Sequence, residues 1–128
     1  MMTNKLTLSV LKETFAICKL ANNSPIPPWA ADGEFFSITR THDELSIVCF
    51  EKYVPADVTV EKDWAAIKVD GPLDFSMTGI LLSITTVLAK SKISVFAIST
   101  YDTDYVLVKK DKVDAALKAL SNNFAIAR

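Results

Sequence analysis

The apolar residues in the second half of the chain change their spacing in a definite order, and this order restricts the fold more than any other feature. They alternate in residues 64–69, as in a β-strand, and then recur at steps of three and four residues in 78–90, as in an amphipathic helix. Further strand, strand, helix and strand patterns follow at residues 93–100, 105–108, 111–122 and 124–127. The order β-α-β-β-α-β predicts an α+β fold of the ferredoxin-like type, in which two helices cover one face of an antiparallel sheet.

The first half of the chain has strand-like segments but no full helical pattern. The four segments are residues 5–11, 15–20, 34–41 and 44–50, and the last two are predicted to form a hairpin. Between the second and third segments, the prolines of Pro25-Ile26-Pro27-Pro28 exclude a regular helix or central strand, because proline lacks a backbone donor and has a fixed φ. Residues 53–63 have a mixed pattern and are predicted to form a connector. We therefore predict two interdependent lobes, residues 1–60 and 61–128.

Composition and charge exclude several classes of protein. Among 128 residues, 50% are hydrophobic and the net charge is -1, whereas a nucleic-acid surface needs a clustered excess of lysine and arginine. No run of about 18 apolar residues occurs in the sequence, so we expect no membrane-spanning helix. Thr7 and Ser9 interrupt the apolar run at 6–11, which is not typical of a signal peptide, and we expect a cytoplasmic location.

The sequence contains no motif of an enzyme, a metal site or a cofactor site. Walker A, Gly-x-Gly-x-x-Gly, His-Glu-x-x-His and Cys-x-x-Cys patterns are all absent from it. His42, the only histidine, has the setting of a solvated turn residue rather than of a catalytic base. Cys18 and Cys49 lie in separate strand-like segments, where isolated thiols are typically buried, and a reducing cytoplasm disfavours a disulfide. We therefore predict a non-catalytic protein without a cofactor or a metal.

Three short motifs in the second half resemble those of the ACT domain family. They are Trp64-x-x-Ile67-x-Val69-x-Gly71-Pro72-Leu73, Thr78-Gly79-Ile80 and Ile98-Ser99-Thr100. The first half adds Phe15-Ala16-Ile17 and Ile26-Pro27-x-Trp29. The resemblance extends to the two-ACT family that includes the CASTOR arginine sensors and to the regulatory region of aspartate kinases. It implies tandem ACT domains, with a degenerate N-terminal ACT-like lobe at 1–60 and a C-terminal ACT domain at 61–128.

The resemblance also implies a ligand site. In such families an amino acid lies between two ACT units, held by the loop after the first strand and by the next strand. The corresponding loop residues are Asp74, Phe75, Ser76, Thr78, Gly79 and Ile80, and the opposing residues are Ser99, Thr100, Thr103 and Asp104. The partners implied in this way are an amino acid ligand, a second copy of the chain in a homodimer, and an unidentified regulated protein.

The residue types at this site suit a zwitterion. A helix N-terminus exposes backbone N–H groups and carries a partial positive charge, so the predicted helix start at Thr78-Gly79-Ile80 suits a carboxylate. Gly79 has no side chain and therefore allows a ligand to approach the backbone closely. The carboxylates of Asp74 and Asp104 would accept hydrogen bonds from an ammonium group.

Each of these residues also has a purely structural interpretation. The residue types at Asp74, Ser76, Asp102 and Thr103 commonly bond nearby backbone groups in turns and helix caps. Phe75 is more typical of packing, and for the two tryptophans, interlobe packing is favoured over ligand stacking. Under these interpretations the chain is a protein-interaction module without a ligand. An enzyme ranks lowest, and RNA binding would need exposed aromatic side chains on central strands.

Overall fold

The computed structural model describes residues 6–73 and 79–127, and the chain divides into two compact units. The central unit comprises Glu13–Trp64, and the terminal unit comprises Met1–Lys12 together with Ala65–Arg128. The terminal unit therefore combines a segment from the start of the sequence with its second half. The assignment of residues 1–60 and 61–128 to two ACT-type lobes stays a prediction.

Eight strands and two α-helices lie in the described residues. The strands are β1 (Thr7–Val10), β2 (Phe15–Leu20), β3 (Ser37–Arg40), β4 (Leu45–Phe50), β5 (Thr59–Val69), β6 (Phe96–Ser99), β7 (Asp104–Lys109) and β8 (Ala125–Ala127). The helices are α1 (Ile80–Lys90) and α2 (Val113–Leu120), and short 3-10 turns occur at Pro28–Ala31, Glu51–Tyr53 and Lys110–Lys112. From β5 onward the order is β-α-β-β-α-β, as predicted. Neither of the helices found in 6–73 and 79–127 is long and apolar enough to cross a membrane.

β5 is longer than the sequence pattern predicts. We expected a strand at 64–69 after an irregular connector at 53–63, but the strand already begins at Thr59. Its first half pairs antiparallel with β2. Backbone pairing of this kind needs no alternation of apolar side chains, which is why the pattern missed it. The β2–β5 register contains an irregularity, and within it Asp63 adopts a positive φ of 67°.

In the terminal unit, β1 lies between β5 and β8. It pairs antiparallel with β5, where Leu8 is opposite Val69, and parallel with β8, where Leu8 is opposite Ile126. β7 pairs with β5 and, antiparallel, with β6. The parallel β1–β8 pair departs from the antiparallel sheet that we expected, because that expectation did not include β1 in this set of strands.

The core of the terminal unit is formed by apolar side chains from its two helices and its strands. The helical contributions are Ile84 and Leu88 from α1 and Ala116, Leu117 and Leu120 from α2. The strand contributions are Leu8, Ile67, Val69, Val106 and Val108. Burial of each large aliphatic side chain stabilises the fold by about 1.5–3 kcal/mol, so this cluster fixes where α1 and the strands around it lie.

The end of α1 is closed by a left-handed residue. Lys92 has φ 60° and donates its N–H to the Ala89 carbonyl at 2.9 Å. The next residue, Ile93, donates its N–H to the Leu88 carbonyl at 2.9 Å, and both of these apolar side chains are buried in the core. This pairing of bonds is the Schellman motif, in which glycine is the usual residue at the left-handed position.

In the central unit the strand order is β3-β4-β2-β5. Its apolar core consists of Ala16, Cys18, Ala30, Leu45, Ile47 and Cys49. The Phe15 ring meets Phe35 and Phe50 edge to face, with centroids 5.5 and 5.3 Å apart. Gly33 has φ 91°, and a Cβ there would lie 2.7 Å from the Phe50 ring, so only glycine fits at this position.

Candidate functional site

A cavity of about 370 Å³ lies in the terminal unit, at the start of α1 and the turn between β6 and β7. The residues that line it come from the segment after β5, from the first turn of α1 and from the β6–β7 turn. They are Leu73, Gly79, Ile80, Leu81, Leu82, Ser99, Thr100, Tyr101, Asp102, Thr103 and Asp104. A volume of this size falls within the range of small-molecule pockets.

The start of α1 brings backbone donors to the cavity. Gly79 has φ 80°, from which a right-handed helix cannot extend backward, so α1 begins at Ile80, close to the predicted start at about residue 78. Ser83 N–H donates to the Gly79 carbonyl at 2.8 Å, which is the first bond of the helix ladder among the described residues. The N–H groups of a helix's first turn lack an intrahelical acceptor and are therefore open to a ligand. A Cβ added at Gly79 would have no heavy atom of the described residues within 4 Å, so the backbone is accessible there.

The β6–β7 turn supplies an oriented carboxylate. Ser99 and Asp104 are opposite each other at the ends of the two strands, and Ser99 Oγ donates to Asp104 Oδ1 at 2.6 Å. Within the turn, Thr100 N–H and Oγ1 both donate to the Thr103 carbonyl, at 2.8 and 3.1 Å. A carboxylate accepts up to about four hydrogen bonds, so the partly buried Asp104 keeps capacity for a ligand donor.

Contacts with the segment after β5 fix the position of this turn. Thr103 is buried, and its Oγ1 donates to the Val69 carbonyl. Leu73 N–H donates to the Asp102 carbonyl at 2.6 Å. Gly71 permits the close approach, because a Cβ there would lie 3.1 Å from the Asp102 carbonyl oxygen and 3.3 Å from Thr103 Cβ. The protein's own contacts therefore set the geometry of the turn.

The lining combines negative charge with an apolar rim. Asp102 and Asp104 are its charged residues, and no lysine or arginine is among the lining residues that the structure describes. Leu82 and Tyr101 also line the cavity, and their side chains are 69% and 80% exposed. The cavity thus offers backbone N–H groups to an anion, carboxylates to a cation, and apolar surface at its edge.

All of the predicted loop and strand residues that the structure describes line one cavity. Six of the predicted residues line it: Gly79, Ile80, Ser99, Thr100, Thr103 and Asp104. The other four, Asp74, Phe75, Ser76 and Thr78, lie outside the described residues. Sequence reasoning did not include Leu73, Leu81, Leu82, Tyr101 and Asp102 in the site. Tyr101 and Asp102 lie between the predicted site residues Ser99 and Asp104 in the sequence. This position could have indicated both of them, because a tight turn places consecutive residues around one space.

The single histidine and the two tryptophans belong to the central unit, whereas the cavity lies in the terminal unit. His42 is exposed in the turn between β3 and β4, and its carbonyl accepts a hydrogen bond from Asn22 Nδ2 at 2.7 Å. Trp29 packs against the core of the central unit, and Trp64 is buried at the end of that unit. None of these side chains lines the described cavity.

A model of the ACT domain matches residues 59–122, which are half of the chain. The chain belongs to the ACT domain family. The predicted family is therefore confirmed, and the match includes α1 and the β6–β7 turn of this ACT protein. A second model, described as an N-terminal domain, matches residues 13–57.

Solved structures share the fold of this ACT protein. A crystal structure of a protein from Agrobacterium tumefaciens has a TM-score of 0.91 and 37% sequence identity, covering 98% of this chain and 94% of that chain. The ligand-free regulatory subunit of aspartate kinase from Thermus thermophilus has a TM-score of 0.62 and 12% identity, covering 91% of this chain and 96% of that chain. At 12% identity the likeness shows the fold alone. The ferredoxin-like ACT fold is thus confirmed.

Curated relatives of this ACT protein have functional names. The human cytosolic arginine sensor for mTORC1 subunit 1 is 30% identical over 108 residues, which are 78% of this chain and 32% of the sensor. The bovine protein of the same name is 27% identical over 106 residues, which are 74% of this chain and 32% of that protein. The ACT protein therefore spans about a third of the length of these sensors.

Proposed function

We propose that this ACT protein is a non-catalytic regulatory module that binds a free amino acid in the cavity of its terminal unit. One observation carries the proposal: the amide-exposing start of α1 and the hydrogen-bonded pair of Ser99 and Asp104 line the same cavity. Membership in the ACT family and the names of the curated relatives support the same class of function.

The two ends of the zwitterion would have different partners. The ligand carboxylate accepts hydrogen bonds from the first-turn N–H groups of α1, where the helix dipole favours negative charge. The ligand ammonium donates to Asp104, whose Oδ1 is already oriented by Ser99. Each hydrogen bond to a charged group contributes about 1.5–3 kcal/mol, so a few of them suffice for millimolar to micromolar binding. The loop residues Asp74, Phe75, Ser76 and Thr78 stay proposed contacts.

Arginine is the first amino acid to test. It carries a net positive charge, and the described lining carries two carboxylates without a cation. The human relative is named as an arginine sensor. Lysine has the same charge but lacks the planar guanidinium that pairs with a carboxylate through two parallel hydrogen bonds. A preference for arginine over lysine would therefore show recognition of shape as well as charge.

Isothermal titration calorimetry of the full chain against the standard amino acids tests the proposal. Asp104→Asn removes the negative charge and should weaken binding by about tenfold or more, since a charged hydrogen bond is lost. Asp57→Asn changes an exposed carboxylate of the central unit and is the matched control, with binding expected to equal that of the unmodified chain. If no standard amino acid gives a signal at millimolar concentration, the ligand-binding function is wrong.

The exposed rim favours a second candidate function, a protein-interaction module. Leu82 is a large apolar side chain at the edge of the cavity, and surface of this kind suits contact with another protein. A homodimer is the simplest form of this function, and an unidentified regulated protein is the other. Sedimentation velocity tests the homodimer: Leu82→Ser should weaken self-association, and a strict monomer of the unmodified chain at high concentration would contradict it.

The same proposal places the protein in the cytoplasm. The human relative is named as cytosolic, and this chain shares 30% identity with it. Fractionation of cells that express the full chain with a small C-terminal tag tests this location. Recovery of the tagged chain mainly in a membrane or secreted fraction would contradict it.

A further inference from the structure

The central unit contains two thiols on neighbouring strands. Cys18 lies in β2 and Cys49 in β4, and the two residues are 2% and 0% exposed. In the antiparallel β2–β4 pair, Ala16 is opposite Cys49 and Cys18 is opposite Ile47. The two cysteines are therefore diagonal neighbours on one face of the strand pair, and both are free thiols.

Each of the two thiols changes the pKa of the other. Hydrogen bonding with Cys49 lowers the pKa of the Cys18 thiol below its ordinary value, although burial opposes this change. The same bond raises the pKa of Cys49, and burial acts in the same direction. Because the thiolate is the reactive form of cysteine, Cys18 is the better nucleophile of the pair.

We propose that Cys18 and Cys49 are an oxidation site that forms a reversible disulfide with a peroxide as the oxidant. Cys18 Sγ attacks one peroxide oxygen, the O–O bond breaks, and the other oxygen leaves as water while Cys18 becomes a sulfenic acid. Cys49 Sγ then attacks the Cys18 sulfur, the S–O bond breaks, and a second water leaves. In sum, the two thiols lose two hydrogen atoms with their electrons, and hydrogen peroxide is reduced to two waters.

The placement of the pair suits a reversible link rather than a permanent one. Cα atoms of diagonal neighbours are about 7–8 Å apart, whereas disulfides usually span about 4.4–6.8 Å. The bond therefore requires a local shift of β2 and β4, and disulfides that hold a strand pair under such strain are the more readily reduced ones. In the central unit β3 and β4 are at the end of the strand order and β4 pairs with β2, so local opening of the β3–β4 hairpin uncovers β2 and gives peroxide access to Cys18 without global unfolding.

Thiol counting and intact mass spectrometry of the full chain test the proposal. The reduced native chain is treated with hydrogen peroxide, and the remaining thiols are counted in urea. We expect both thiols to disappear together, the mass to fall by two hydrogen atoms, and a linked peptide with Cys18 and Cys49 to appear. Dithiothreitol should restore both thiols. The chain unfolded in urea, treated with the same peroxide, establishes that the dose is sufficient.

Single-cysteine variants separate the two roles. In Cys49→Ser the Cys18 sulfenic acid has no resolving thiol, so Cys18 should gain oxygen and no linked peptide should form. In Cys18→Ser the remaining Cys49 should react more slowly than Cys18 does in the first variant. Alanine replaces serine in either variant if circular dichroism shows that a buried hydroxyl prevents folding.

Three outcomes for the unmodified chain would overturn the proposal. The first is two thiols that stay free at a peroxide dose that oxidises the unfolded chain. The second is oxygen uptake on separate thiols without a link between them. The third is links that form only between different chains. Faster oxidation of Cys49 than of Cys18 in the variants would overturn the assigned order of attack.

Discussion

Replacing Thr103 by valine tests whether one hydroxyl fixes the turn that lines the cavity. Thr103 is 6% exposed, and its Oγ1 donates to the Val69 carbonyl. Valine keeps the branched shape and the volume, so the packing of this Cβ near Gly71 is preserved while the donor is lost. A buried hydrogen-bonding group left without its partner costs about 1–3 kcal/mol, which is the expected loss in the free energy of unfolding.

Thr103→Ser is the matched control, because it keeps the hydroxyl and removes one methyl group. Its cost is about 1 kcal/mol from lost apolar burial, but the bond to Val69 remains. The two variants therefore differ in their local effect. In Thr103→Val the amides of Leu73 and Thr100, which bond to carbonyls of the turn, should exchange with solvent about 5- to 150-fold faster, the equivalent of about 1–3 kcal/mol. In Thr103→Ser they should stay protected.

Hydrogen exchange followed by NMR measures the local effect, and urea unfolding followed by far-UV circular dichroism measures the global one. Tryptophan fluorescence is less suitable, because Trp29 and Trp64 belong to the central unit and Thr103 to the terminal unit. Unchanged exchange at both amides in Thr103→Val would refute the inference that the hydroxyl holds the turn. An equal acceleration in Thr103→Ser would refute it as well, since the methyl group would then be responsible.

Three further predictions concern residues with positive φ, and urea unfolding checks all of them. Lys92→Gly should raise the free energy of unfolding by about 0.5–1 kcal/mol, because glycine adopts φ 60° without a Cβ clash. The greater freedom of glycine in the unfolded chain offsets part of this gain. A lower urea midpoint would count against the left-handed conformation. Gly33→Ala should lower the free energy of unfolding by about 2–4 kcal/mol, because strain at φ 91° adds to a clash with the Phe50 ring. Gly79 has φ 80°, but a Cβ there would meet no atom of the described residues. Gly79→Ala should therefore lower the free energy of unfolding by only about 1–2 kcal/mol. Equal losses for the two glycine variants would contradict the steric contribution at Gly33.

The order of elements in the terminal unit could be predicted from the sequence because each element there has one buried side. Ile84 and Leu88 repeat at a helical step and are both buried, so the periodicity of α1 is visible along the chain. The first half of β5 has no such signal, since most of its side chains between Thr59 and Asp63 are exposed. The parallel pairing of β1 with β8 joins segments more than a hundred residues apart, and no local pattern indicates such a pairing.

The candidate site was predictable to the extent that it follows contiguous motifs. Gly79 and Asp104 were proposed from the ACT resemblance and from the chemistry of helix ends and carboxylates, and the structure places both at one cavity. Asp102 and Tyr101 were missed because their position depends on how tightly the β6–β7 turn closes. That closure depends on Thr103 and its bond to the end of β5, a contact between segments that are distant in sequence.

The pairing of β1 with both β5 and β8 has a consequence for synthesis on the ribosome. Residues of the central unit emerge together and are complete once Trp64 has left the exit tunnel. β1 emerges earlier than all of them, yet its second edge has to await β8, at Ala125–Ala127. At roughly 5–20 residues per second the interval from β1 to β8 is roughly 6–24 s, and the part of it that follows the end of β5 is roughly 3–11 s. Both edges of β1 are open until β5 emerges, and one edge then stays open until β8 arrives. Chaperones that bind extended apolar segments have their best opportunity in this interval.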